Sequence, residues 1–156
     1  QLFEQAVKKK LMPTMMPVNA RFNASGFGIR LDPITGQQSM HEGIDFIADT
    51  GTPIVAAAGG VVQFAGFHPQ YGNMVMVRHS NGIESLYGHL ARIDTKLGDK
   101  VTPNSVLGLV GNTGSSTGKH LHLEILIGGY PVNPLKVIRT AQHVQQIQTQ
   151  SKELAQ

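Results

Sequence analysis

From Val18 to Asn133 short apolar runs alternate with glycine-rich turns. Gly60-Val61-Val62-Gln63-Phe64 predicts a strand. Asn73 to His79 predicts another, because its β-branched Val75 and Val77 stand in alternation. Ser80-Asn81-Gly82 follows, and Asn-Gly is the strongest short hairpin signal, since both residues accept a positive φ. Ile83 to Tyr87 returns as the partner strand, and Val106–Val110 and Leu121–Ile127 complete the set. Short strands joined by tight turns predict a mainly β fold, an antiparallel sheet with a barrel-like core.

The two ends read differently. Residues 1–11 form a short helical or irregular arm, broken by Met12-Pro13 and Met16-Pro17. After Pro134 the chain becomes Gln-rich and lacks glycine and proline, with Val137, Ile138, Ala141, Val144, Ile147 and Leu154 as its apolar positions. That predicts a helix. The expected division is an arm over 1–17, a main domain over 18–133 and a helical tail over 134–156. Together with a first residue other than Met, the two ends read as parts of a longer protein.

Composition narrows the classes. With 40% hydrophobic and 15% charged residues in 156, the chain buries a core and is not a disordered polyelectrolyte. The net charge is +3 and the only basic cluster is Lys8-Lys9-Lys10, too little for a nucleic-acid partner. There is no cysteine, which excludes disulfide scaffolds and thiolate metal sites.

Seven histidines in so weakly charged a chain call for an account. His68, His79 and His143 read as surface or turn residues. His120-Leu121-His122-Leu123-Glu124 alternates polar and apolar positions. On a strand His120, His122 and Glu124 share one face, with neighbours roughly 6.7 Å apart, and the leucines face the core. The two histidines could then converge on one metal, or one could bind it while the other works beside it. His41-Glu42-Gly43-Ile44-Asp45 pairs an imidazole with a carboxylate. On a straight strand the two would lie about 13 Å apart, so the segment must bend to bring them to one ion, and Gly43 permits that. His89 follows Tyr87-Gly88 at the expected end of the return strand, a place for a loop-borne catalytic group. Asn112 to Gly118 lacks the spacing of a phosphate loop and reads as a tight loop that sets the histidine strand in place.

Several motifs then coincide in order: Phe27-Gly28-x-Arg30-x-x-Pro33, His41-x-Gly43-x-Asp45, Gly51-Thr52-Pro53-Ile54-x-Ala56, Tyr87-x-His89-Leu90 and Gly118-x-His120-Leu121-His122-x-Glu124. In these the chain resembles the lysostaphin-like (LytM-domain) zinc metallopeptidases, which cut peptide cross-links in bacterial cell walls. The resemblance covers roughly Val18 to Asn133. It implies a β fold with an open groove. It implies one zinc per chain, held by His41, Asp45 and His122, with His89 and His120 as catalytic histidines. His120 would orient or deprotonate the attacking water, and His89 would help to stabilise the oxyanion. Lys119 departs from the neutral residue common in the family.

The expected function is a zinc endopeptidase of peptidoglycan, cutting D-alanine–diaminopimelate bonds in the cell envelope, either in the periplasm or secreted and wall-associated, as part of a longer envelope protein with an N-terminal regulatory region. The alternative is a non-catalytic LytM-type module that binds wall or activates another hydrolase. All five site positions are filled, which favours the enzyme. The stretch from Val101 to Leu109 also resembles biotinyl and lipoyl carriers, but those have no use for a histidine constellation. Phe27, Arg30 and Tyr87 are expected as groove walls, and the N-terminal arm is a candidate to lie over the groove.

Overall fold

The structure, a computed structural model, describes residues 2–19, 21–22, 27–31, 35–114 and 119–155. Pro33, Gly118 and the loop segment 115–118 lie outside the described residues. A short helix α1 (Leu2–Lys8) opens the chain. Among the described residues twelve strands follow: β1 (Arg21–Phe22), β2 (Gly28–Leu31), β3 (Gln38–His41), β4 (Ile44–Ile47), β5 (Pro53–Val55), β6 (Gly60–His68), β7 (Gly72–Arg78), β8 (Ile83–Ile93), β9 (Lys100–Val101), β10 (Val106–Val110), β11 (His120–Ile127) and β12 (Tyr130–Val132). The long helix α2 (Pro134–Leu154) closes it.

The main sheet is antiparallel and runs β1-β4-β11-β8-β7-β6-β9; β12 adds to β11, and β10 bridges β8 and β5. β2 and β3 form a separate two-stranded ribbon. The path does not return on itself, so the expected barrel-like sheet is open. The β7–β8 hairpin turns where expected, with Asn81 at φ 57° and Gly82 at φ 74°, the left-handed values that Asn-Gly accepts most readily.

β8 is longer than its sequence suggests. Gly88 looks like a strand end, yet the strand continues to Ile93 by changing partners. β11 pairs with it up to Gly88, and β10 takes over at Leu90. His89 sits at this changeover with φ 66°, a left-handed conformation uncommon outside glycine. It is therefore inside a strand, and not on a loop.

The core lies behind the sheet. Phe46, Tyr87, Leu90, Leu121, Leu123 and Ile125 are fully buried, joined by Leu135, Ile138 and Ala141 from one face of α2. α2 starts as expected, with Pro134 in its first turn and the Asn133 side chain accepting the Leu135 N–H at 3.1 Å. Its glutamines hold the N-terminal arm: the Gln142 amide donates to the Thr14 carbonyl and the Gln148 amide to the Glu4 carbonyl. Ala6, Val7 and Met12 of the arm join the core. Gly59 N–H donates to the Lys10 carbonyl, and Thr14 and Met15 N–H both donate to the Ala57 carbonyl. The arm is thus built into the fold beside α2 and the 57–59 segment.

Candidate active site

β3, β4, β8 and β11 converge at one end of the sheet. His41 ends β3 and Asp45 follows in β4, with the bend expected at Gly43 between them. That glycine serves for close approach. A Cβ there would collide with the Leu123 carbonyl and lie 2.9 Å from the His122 ring, so only glycine lets β4 lie tight against β11. In this register Asp45 is opposite His122, which lies opposite Gly88 on its other side.

The side chains meet as a result. His41 Nε2 is 3.4 Å from Asp45 Oδ2, and His122 Nδ1 is 2.8 Å from Asp45 Oδ1. One ligand atom from each of the three residues lies within 4.8 Å of the others. Ligands at roughly 2.0–2.2 Å from a tetrahedral metal lie about 3.4 Å from one another, so small adjustments bring this set to one ion. Two imidazoles and a carboxylate are the donor chemistry of catalytic sites that leave a position open. Asp45 keeps 31% of its side chain exposed, which leaves the cluster accessible to solvent.

His120 Nε2 lies 3.8 Å from Asp45 Oδ1. The His89 ring packs edge-on against His120, with centroids 5.0 Å apart, and lies 6.0 Å from His122. The structure therefore gathers all five sequence-indicated residues in one place. β11 is covered on both faces here, so His122 and Glu124 are buried and not on an exposed strand face.

Electrostatics differ between the histidines. Burial pushes the His122 imidazole down, but hydrogen bonds to Asp45 and Glu124 outweigh it and raise its pKa to about 9. In the metal-free protein it is an imidazolium between two carboxylates. Burial raises the Asp45 carboxyl, but the His122 hydrogen bond and the nearby imidazoles more than reverse this and leave it lowered. His89 goes the other way: burial lowers its pKa, only partly offset by its bond to the Thr113 carbonyl.

Two contributors escaped sequence reasoning. Thr113 presents its carbonyl to His89 Nδ1 at 2.6 Å, while its hydroxyl donates to the Leu90 carbonyl and accepts the Asn73 N–H. Tyr71 donates to Glu124 at 2.6 Å and stacks on the His122 ring at 5.7 Å. Their only sequence signals are the turn residues Gly72 and Gly114, whose backbones touch.

The groove-wall expectations fare unevenly. Tyr87 is not a wall residue. It is fully buried, accepts the Ala57 N–H at 2.9 Å and bonds Ser85 at 2.7 Å, because the left-handed His89 breaks the alternation that would place both on one face. Phe27 packs partly buried against the core. The backbone of Arg30 pairs with Ser39 in the β2–β3 ribbon. Lys119 is exposed beside a shallow depression with Asp49 and Thr52. His79 is not a surface residue: it bridges the Gly59 carbonyl and Ser85, each at 2.7 Å.

The chain is similar to known proteins. Residues 39–134, which include all five site positions, match peptidase family M23. The chain is 49% identical over 114 residues to the DD-carboxypeptidase/endopeptidase Mpg of Neisseria meningitidis, covering 73% of this chain and 26% of that protein. It is 41% identical over 134 residues to the peptidoglycan DD-endopeptidase ShyC of Vibrio cholerae, covering 85% of this chain and 30% of that one. It thus spans under a third of the length of these relatives. Among solved structures, a zinc containing peptidase from Vibrio cholerae superposes with a TM-score of 0.72 at 31% identity, over 80% of this chain and 39% of that chain. A match that spans the strands carrying the histidine–aspartate cluster, with this fold around them, is enough to place the chain: it belongs to peptidase family M23.

Proposed function

We propose that this chain is the catalytic domain of a zinc-dependent endopeptidase that hydrolyses peptide cross-links of bacterial peptidoglycan. The observation that carries this reading is the His41/Asp45/His122 cluster with His89 and His120 beside it, accessible on an open sheet. The two relatives, one named a DD-carboxypeptidase/endopeptidase and the other a peptidoglycan DD-endopeptidase, support the substrate class, and the zinc containing peptidase of similar fold supports the choice of metal.

His41, Asp45 and His122 would hold the metal. When bound, zinc supplies Lewis acidity, which polarises a carbonyl and makes hydroxide available near neutral pH. The chain's own residues do the rest. A carbonyl only accepts, so the Thr113 bond requires the proton of neutral His89 on Nδ1. Its Nε2 is then a bare lone pair. That revises the role expected from the resemblance: neutral His89 cannot donate to an oxyanion. It acts first as a base, and once protonated its Nε2–H can donate to the oxyanion or pass the proton to the leaving amine. His120, in ring contact with it, orients the nucleophile and shares the proton.

The D-alanine–diaminopimelate cross-link is the bond proposed, and the envelope, on its periplasmic side, the place of action. Among the described residues no helix is long and apolar enough to cross a membrane. Mass spectrometry of fragments from purified walls of known cross-link chemistry tests the reading. Conversion of cross-linked dimers to monomers is expected. Release of terminal D-alanine alone, or no cleavage by zinc-loaded protein, contradicts it.

A further inference from the structure

Glu124 is a carboxylate in the middle of β11, only 3% exposed. A buried charge is costly unless it is paired and hydrogen-bonded. Its Oε2 takes two hydrogen bonds, from His122 Nε2 at 2.9 Å and from Tyr71 Oη at 2.6 Å. The other nitrogen of the same imidazole, Nδ1, belongs to the cluster with His41 and Asp45. One ring therefore has one nitrogen toward the metal site and the other on a fixed acceptor.

The placement of Tyr71 is also fixed. His68 Nδ1 accepts the N–H of Gln70 and of Tyr71, which shapes the turn between β6 and β7. The tyrosine ring then lies nearly parallel to His122, at 25°. On the other side Gly43 leaves room, since a Cβ there would lie 2.9 Å from the His122 ring and 3.0 Å from the Glu124 side chain.

We propose that Glu124, itself held by Tyr71, is a positioning residue for metal binding: it accepts the Nε2–H of His122 and so keeps the Nδ1 lone pair aimed at the ion. This rests on the reading of His41, Asp45 and His122 as the metal site. Without Glu124 the Nε2–H of a buried ring loses its acceptor. The proton can then move to Nδ1, where it competes with the metal, and the ring is free to turn. Carboxylates in this position behind a metal-bound histidine fix both its tautomer and its orientation.

The test is the zinc dissociation constant by chelator competition, with folding followed by circular dichroism, for the 156-residue chain and its Glu124→Leu, Glu124→Gln and Tyr71→Phe variants. Glu124→Leu is expected to weaken zinc binding by about 10- to 100-fold. Glu124→Gln keeps an oxygen that accepts both hydrogens and is expected to recover most of that loss. Tyr71→Phe is expected to weaken binding by less than Glu124→Leu. A purely structural role would lower the melting temperature and leave the affinity of folded protein unchanged, which overturns the proposal. Gln binding zinc as weakly as Leu also overturns it, as does Tyr71→Phe equal to wild type for the part given to Tyr71. If Glu124→Leu does not fold, the Gln and Phe variants decide on the same criteria. Wild-type protein that binds no zinc would instead contradict the proposed function.

Discussion

The His89 ring is tethered by its Nδ1 to the backbone carbonyl of Thr113, 2.6 Å away, and packs edge-on against the His120 ring. The consequence is a histidine that stays neutral and presents a lone pair. Its pKa is lowered by burial, so it should remain neutral at pH values where an ordinary histidine, near 6.5, begins to protonate. Nitrogen-detected NMR is expected to show the Nδ1–H tautomer at pH 7. His89→Ala is expected to keep the metal and cut turnover by about 10²–10⁴-fold. A rate within a few-fold of wild type would remove His89 from the chemistry.

His122 couples metal, proton and stability. Its folded pKa of about 9 lies above the ordinary 6.5. In metal-free protein its contribution is fully present below pH 6.5 and lost as pH rises through about 9. In the proposed site zinc would displace the Nδ1 proton, so its affinity should rise with pH across the same window. Urea denaturation of metal-free protein from pH 6 to 9.5, beside zinc titrations at each pH, checks both signs. Stability of the metal-free protein that does not fall across the window, or an affinity flat with pH, would count against this ion-pair arrangement.

A second buried network has the opposite sign. Tyr87 donates to Ser85, Ser85 to His79 Nε2, and His79 Nδ1–H to the Gly59 carbonyl. This direction requires a neutral His79, and burial lowers its pKa accordingly. Its stabilisation is present above pH 6.5 and lost as pH falls through the lowered value. The urea midpoint of zinc-loaded protein should therefore drop on acidification, and the drop should shrink in Ser85→Ala, where the bond to Nε2 is already gone. An NMR titration that finds His79 protonating at 6.5 or above would refute the premise.

The arm is expected to act through the core and not as a cover over the groove. Met12 is 3% exposed and packs with Val7 and α2. Met12→Ala should cost about 2–5 kcal/mol of stability. Deletion of residues 1–17 should lower the melting temperature. A deletion that leaves the melting temperature unchanged and raises wall hydrolysis would restore the covering role.

What was legible in the sequence was local. Asn81-Gly82 announces its hairpin because the turn chemistry lies in two adjacent residues. Strand parity placed His120, His122 and Glu124 together, and Gly43 marked the bend between His41 and Asp45. What was missed is non-local or breaks parity. Tyr71 reaches Glu124 across 53 positions, and Thr113 reaches His89 across 24. Tyr87 was misjudged because nearness to His89 in sequence stood in for nearness in space. One positive φ at His89 sends the two side chains to different places. β8 was cut short at Gly88 for a related reason, since a change of strand partner leaves no mark in composition.

His41, Asp45 and His122 are proposed to hold the catalytic metal, with His89 and His120 doing the proton work. Zinc per chain, measured by mass spectrometry of the elements on protein purified without chelators, tests this assignment most directly when wild type, His120→Ala and His122→Ala are compared. One zinc is expected in wild type and in His120→Ala, and little in His122→Ala, where two of the proposed ligands remain. A metal-free His120→Ala beside a zinc-loaded His122→Ala would contradict it.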